Sequence, residues 1–192
     1  MKIFLLLFIA VFYQIALSQT KKFDVLLFGK SIGQTTISKQ SNNNGLITYH
    51  LNSNSSVNAI IKTRSSNMEF DIKYLNGSLY SAFCKAVTDG VQAITNITKT
   101  AEGYLVKKET DVKKVTEAVT FSSMELYFTE PVNEKRVFSE RMGEFVAFEK
   151  TAPGEYANKL KDVTNIYRYR NGSLYEIEMR KPLGSVFMRA KN

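Results

Sequence analysis

One heptapeptide pattern is written twice in this chain: Tyr-Leu-Asn-Gly-Ser-Leu-Tyr at residues 74–80 and Tyr-Arg-Asn-Gly-Ser-Leu-Tyr at residues 169–175. Asn-Gly between alternating apolar residues closes a two-residue hairpin, because a type I′ turn needs positive φ at both central positions. Around the first copy the alternation is clean: Met68, Phe70, Ile72 and Tyr74 on one face, Glu69, Asp71 and Lys73 on the other. Uninterrupted pairing predicts Tyr74 opposite Leu79, Ile72 opposite Ser81 and Phe70 opposite Phe83 on the apolar side. In the second copy, strict alternation places Tyr169 and Leu174 with Tyr167, Glu176 and Glu178. Ile166, Tyr175, Ile177 and Met179 then share the other side with Arg168 and Arg170. On this reading the turn repeats but the facing does not, and the second hairpin is where polar groups meet an interior.

Further turn signals follow at short spacing. A Gly29–Gly33 loop joins Phe23–Phe28 to Gln34–Lys39, Ser41–Gly45 precedes Leu46–Leu51, and Asp89-Gly90 and Ala101-Glu102-Gly103 separate later runs. About a dozen short strands with short connections predict an all-β fold: a curved antiparallel meander forming a barrel or half-barrel. One segment departs from the period of two. Ser122 and Glu125 match a capping box, Met124, Leu126, Tyr127 and Phe128 follow, and Pro131 stops the run. This predicts one short helix over 122–129, lying at the barrel opening.

The first residues read as a targeting segment. Lys2 is followed by an apolar run from Ile3 to Ala16, and Ala16-Leu17-Ser18 has the small-x-small form of a cleavage site. Residues 1–18 are therefore expected to be a cleaved signal peptide, and 19–192 a single β-rich domain. No later stretch is long and apolar enough to span a membrane. The net charge is +8, and +7 without Lys2. The basic residues are spread along the chain, so nucleic acid is not an expected partner. Cys84 is the sole cysteine and cannot form an internal disulfide, and a packed thiol is its expected state.

The chemistry-bearing residues are few. His50 is the only histidine, no His/Cys/carboxylate cluster has metal-ligand spacing, and no cofactor fingerprint is present. Ser139 and Arg141 fall on the opposite strand face from Glu140, so they do not make a Ser–Glu pair, and Arg141 is expected to pair with a neighbouring carboxylate. Glu176 and Glu178 share a face, as paired carboxylates do in acid–base sites, but no convergent constellation of catalytic groups accompanies them. Thirteen Phe, ten Tyr and no Trp suit an aromatic-lined interior.

The phrases Leu126-Tyr127-Phe128-Thr129-Glu130-Pro131, Val137-Phe138-Ser139-Glu140-Arg141-Met142-Gly143-Glu144-Phe145 and Asn165-Ile166-Tyr167-Arg168-Tyr169 resemble a family of uncharacterised exported proteins of Bacteroidota-type bacteria. The Phe28-Gly29-Lys30 opening with Ile32-Gly33, and the close at Met179-Arg180 with Gly184-Ser185, also fit. The resemblance spans essentially the whole chain after the leader. It implies a bacterial envelope location, periplasmic or extracellular, and no reaction, cofactor or ligand.

Taken with the resemblance, the residues favour a non-catalytic envelope protein holding a lipid or other apolar or amphipathic small molecule inside a curved sheet. The alternatives are an envelope assembly factor acting through protein contacts, and an enzyme built on Glu176, Glu178, Arg180 or His50. The candidate ligand contacts are Tyr127 and Phe128 on the expected helix, and Tyr167, Tyr169, Glu176, Glu178 and Arg180 on the second hairpin. No catalytic or metal-ligating residue is assigned.

Overall fold

The alternation of apolar residues becomes fifteen strands in the computed structural model, which describes residues 17–58, 63–160, 162–182 and 184–191. The first eight are β1 (Leu17–Leu27), β2 (Lys30–Ser41), β3 (Leu46–Asn58), β4 (Thr63–Leu75), β5 (Ser78–Thr88), β6 (Val91–Thr100), β7 (Gly103–Lys108) and β8 (Asp111–Val115). The remainder are β9 (Arg136–Ser139), β10 (Glu144–Ala147), β11 (Glu149–Ala152), β12 (Glu155–Leu160), β13 (Val163–Arg170), β14 (Ser173–Lys181) and β15 (Gly184–Ala190). The apolar run of the expected signal peptide lies outside the described residues.

Thirteen strands form one antiparallel sheet in the order β11-β12-β13-β14-β15-β1-β2-β3-β4-β5-β6-β7-β8. The all-β meander is as the sequence predicts. The sheet is not closed: β11 and β8 are its two edges, so the molecule is an open barrel. The first and last strands, β1 and β15, pair in mid-sheet. The chain between the two edges, residues 116–148, crosses the concave face and fills one end of it. Leu79 N–H donates to the Val119 carbonyl at 2.9 Å, anchoring this plug to the sheet. Val119, Met124, Leu126, Val137 and Phe138 of the plug are fully buried against Phe23, Ile37, Tyr49 and Ile72 of the sheet. The β9–β10 hairpin belongs to the plug and sits between the edges: Glu144 reaches Lys113 of β8, and the nearby Phe148 stacks on Tyr156 of β12.

The helix expected over 122–129 is a single 3-10 turn, Glu125–Tyr127. The capping box does not form. Ser122 is bridged to Phe138, and its hydroxyl donates to the Glu140 carboxylate rather than accepting from the first helical amides. The bond to Glu140 fixes the Ser122 side chain away from the amides a cap would serve, and no side chain caps the turn.

Both copies of the repeated turn carry a β-bulge, which corrects the predicted registers. Tyr74 does lie opposite Leu79, but Lys73 lies opposite Ser81, so Tyr80 is an extra residue. Ile72 then faces Ala82, Phe70 faces Cys84, and Phe83 turns outward. In the second copy Tyr169 lies opposite Leu174, Arg168 opposite Glu176, and Tyr175 is the extra residue. The bulge moves every later side chain to the other face. Leu174 and Ile177 therefore join the core, while Glu176 and Glu178 face outward. The facing repeats along with the turn: Tyr74 with Leu79, and Tyr169 with Leu174, all point inward at the plugged end.

Candidate functional site

The concave face is filled unequally because inward side chains shrink along the strands. Inward positions of β3 run Tyr49, Leu51, Ser53, Ser55, and those of β4 run Tyr74, Ile72, Phe70, Met68, Ser66. Small residues at the end away from the plug leave a cleft of about 520 Å³. Its walls are Val25 and Leu27 of β1, Ile32 of β2, Met68 of β4, Met179 of β14, and Val186 and Met188 of β15. The Thr35 and Ser53 hydroxyls bond each other at 2.7 Å below it, satisfying two buried polar groups. At the rim, Arg64 is paired with Asp89, and Lys181 is exposed. The close approach of β2 to β3 beside the cleft needs Gly33, since a Cβ there would lie 2.0 Å from the Asn54 carbonyl oxygen.

None of the sequence-predicted contact residues lines this cleft; the structure divides them between two other places. Tyr127, Phe128, Tyr167 and Tyr169 lie at the plugged end. Tyr127 meets Phe23 edge-on, Phe128 leans on Tyr49, and Tyr167 packs on Phe148. Tyr169 donates to the Leu126 carbonyl at 2.7 Å. The Lys21 and Lys39 ammonium groups lie 5.6 and 5.8 Å from the Phe128 ring centre, within cation–π range.

Glu176, Glu178 and Arg180 belong to an ion network on the convex face. Arg168 is its hub, bonding Glu155 at 2.9 Å, Glu176 at 2.6 Å and Glu178 at 2.9 Å. Arg189 bonds Glu176 and Arg180 bonds Glu178. The register makes a row of opposite charges across five strands: Glu155, Arg168, Glu176, Arg189, Asp24. Burial by itself would raise the Glu178 carboxyl. Hydrogen bonds from Arg180, Ser185 and Arg168 outweigh it and hold the group at about 2. Both carboxylates are thus acceptors saturated by arginine, a poor arrangement for proton transfer.

A second polar cluster is buried in the plug. Glu140, fully buried, accepts hydrogen bonds of 2.5 Å from both Ser122 and Ser123, and burial pushes its carboxyl above the usual range. A Ser–Glu pair therefore exists, made with serines remote in sequence rather than with Ser139. Arg141 takes no carboxylate partner among the described residues; its carbonyl accepts a bond from Thr95. Burial likewise pushes the neighbouring Glu125 to about 7, against the pull of Lys39. The Tyr74 hydroxyl and Glu125 Oε2 are buried without a hydrogen-bond partner among the described residues. Cys84 is buried on the inner face of β5, and His50 lies on the outer face beside Asp71, away from Glu140. The described residues hold no group of three metal-ligating side chains and no helix long and apolar enough to cross a membrane.

The cleft was missed in the sequence because its signal is negative. Serines at alternate positions 53, 55 and 66 occupy the same inward face as the aromatics. They read there as polar interruptions rather than as room.

The fold is similar to that of the crystal structure of a beta-barrel-like protein of domain of unknown function DUF1849 from Brucella abortus. The TM-score is 0.61 at 11% identity, over 90% of this chain and 95% of that one. No curated protein matches the chain in sequence. The family model for a domain of unknown function, DUF6134, matches residues 23–191, and the chain belongs to that family.

Proposed function

We propose that this protein is an exported, non-catalytic component of the bacterial envelope that holds an apolar or amphipathic molecule in the open end of its barrel. The cleft carries this reading. Its volume of about 520 Å³ falls in the range of small-molecule sites, and aliphatic and methionine side chains make up about half of its lining, alongside serines, Thr88 and the rim residues Arg64, Asp89 and Lys181. Methionine suits an occupant of variable shape, because its unbranched, polarisable side chain adapts to irregular contacts. A cation at the rim, Lys181, fits an amphipathic ligand with an acidic head. Export is supported by Lys2, the Ile3–Ala16 run and the Ala16-Leu17-Ser18 site.

Native mass spectrometry of protein purified from a bacterial host, followed by solvent extraction, tests the reading. The expected result is a co-purified lipid, displaced by a fluorescent fatty acid. Ser53→Phe and Ser66→Phe, which fill the cleft from its floor and wall, are expected to weaken fatty-acid binding by about tenfold or more. An empty protein that binds no fatty acid, while holding a stable envelope protein partner, would replace this reading with an assembly role.

A further inference from the structure

We propose that the cleft end of the barrel is a docking surface for an anionic lipid bilayer, inserted through Phe28 and Val91. Four two-residue turns share one backbone shape. Phe28-Gly29, Asn76-Gly77, Asp89-Gly90 and Asn171-Gly172 have φ between 49° and 51° at the first residue and between 74° and 83° at the glycine. Asn and Asp tolerate this left-handed conformation, whereas a bulky aromatic is strained in it. Phe28 therefore costs stability where Asn, used twice elsewhere in the same chain, would not.

Burial does not offset that strain: Phe28 is 80% exposed. A Cβ added at Gly184, the first residue of β15, would lie 3.8 Å from the Phe28 Cε1. Val91, directly after the Asp89-Gly90 turn, is 74% exposed. Both tips sit at the cleft mouth, since Leu27 and Asp89 are among the residues that line it.

The opposite end supplies an internal comparison. Its turns are built from Asn42, Asn43 and Asn44, from Asn76-Gly77-Ser78 and from Asn171-Gly172-Ser173, all polar at their tips, and the exposed apolar residues at that end, Leu17 and Leu75, lie on strands β1 and β4. Among the described residues, the open end places an apolar side chain on the turn tip itself, Phe28, with exposed cations close by, Lys30 directly after the Phe28-Gly29 turn and Lys181 at the rim. Isolated apolar tips flanked by basic side chains suit the boundary between acyl chains and anionic headgroups. A protein partner would call for a contiguous apolar patch, and these tips stand on separate turns.

Vesicle flotation of the purified protein tests the proposal. Co-flotation is expected with phosphatidylglycerol–phosphatidylethanolamine vesicles, loss of most of it in high salt, and little with phosphatidylcholine alone. Phe28→Asn is expected to cut partitioning by about tenfold, while leaving the melting temperature unchanged or higher, because Asn suits the turn. Lys30→Glu with Lys181→Glu is expected to abolish the preference for phosphatidylglycerol. Failure of the wild type to float with anionic vesicles, or flotation of Phe28→Asn equal to wild type, overturns the proposal. Flotation does not require an occupied cleft, so this result and that of the lipid extraction stand apart.

Discussion

Tyr169 reaches from the second Asn-Gly hairpin to the plug and donates its hydroxyl to the Leu126 carbonyl at 2.7 Å. The first hairpin presents its equivalent, Tyr74, to the other side of the plug, beside Ser122 and Glu140, but that hydroxyl makes no hydrogen bond of good geometry among the described residues. Two side chains in matching positions of a repeated turn thus hold one inserted segment from opposite flanks.

The two tyrosines respond differently to loss of the hydroxyl. Tyr169→Phe leaves a buried carbonyl without its donor and is expected to cost about 1–3 kcal/mol in urea unfolding. Tyr74→Phe removes a group that is desolvated without compensation, and is expected to be neutral or stabilising. Equal losses in both variants would contradict the assigned partners.

Stability is expected to peak in mildly acidic solution. Glu125 has a folded value of about 7 against an ordinary 4.5, raised chiefly by burial. Between those values the folded chain holds more protons than the unfolded one, so stability falls as pH rises from about 4.5 to 7. The contribution is at most about 3 kcal/mol. Glu178 acts in the opposite sense: its folded value of about 2 makes stability fall as pH drops from 4.5 toward 2. Urea midpoints measured across this range should show both slopes. Glu125→Gln should make the limb above pH 4.5 shallower, Glu140, also raised by burial, carrying what is left, and should leave the acid limb alone.

Arg168 binds three glutamates, two of them nearly buried, and its removal is not a surface change. Arg168→Ala is expected to cost about 3–5 kcal/mol, because Glu176 and Glu178 lose their shared countercharge in a desolvated site. Arg168→Lys should recover only part of this, since the three donors of a compact ammonium do not span the carboxylates that the wider, planar guanidinium fork reaches at once. Chemical denaturation of the two variants checks the order.

Cys84 is 2% exposed, and burial raises its thiol well above the ordinary value. Thiol-reactive probes should label it no faster than the protein opens. Rapid stoichiometric labelling of the native protein would show that the sheet near Phe70 and Ile97 is looser than its packing indicates.

Much of the fold was legible because turn chemistry is local. Asn76-Gly77 and Asn171-Gly172 predict their hairpins from two residues each, and the all-β class follows. The bulges were not legible. Tyr80 and Tyr175 differ from an ordinary alternating residue only in being skipped, and that choice depends on which neighbours need burial. Ile177 had to reach the core and Glu176 had to reach Arg168, and one extra residue achieves both. The plug was misread for a related reason. Ser122 and Glu125 satisfy a local helix rule, but Glu140, fifteen residues beyond Glu125, takes the Ser122 hydroxyl. The aromatic candidates Tyr127, Phe128, Tyr167 and Tyr169 do gather in three dimensions, as core around the plug, whereas the cleft is defined by the small serines that no motif search selects.

The seam between β1 and β15 bears on when this chain can fold. Phe23 and Val25 lie beside residues of the final strand, Ala190 and Met188. A nascent chain emerging from its amino end can form the β1–β8 meander, but one flank of β1 stays unpaired until β15 is made. Non-local closure of this kind is slow. The chain therefore spends its synthesis with an open edge in the middle of its future sheet, available to whatever factor keeps such edges apart.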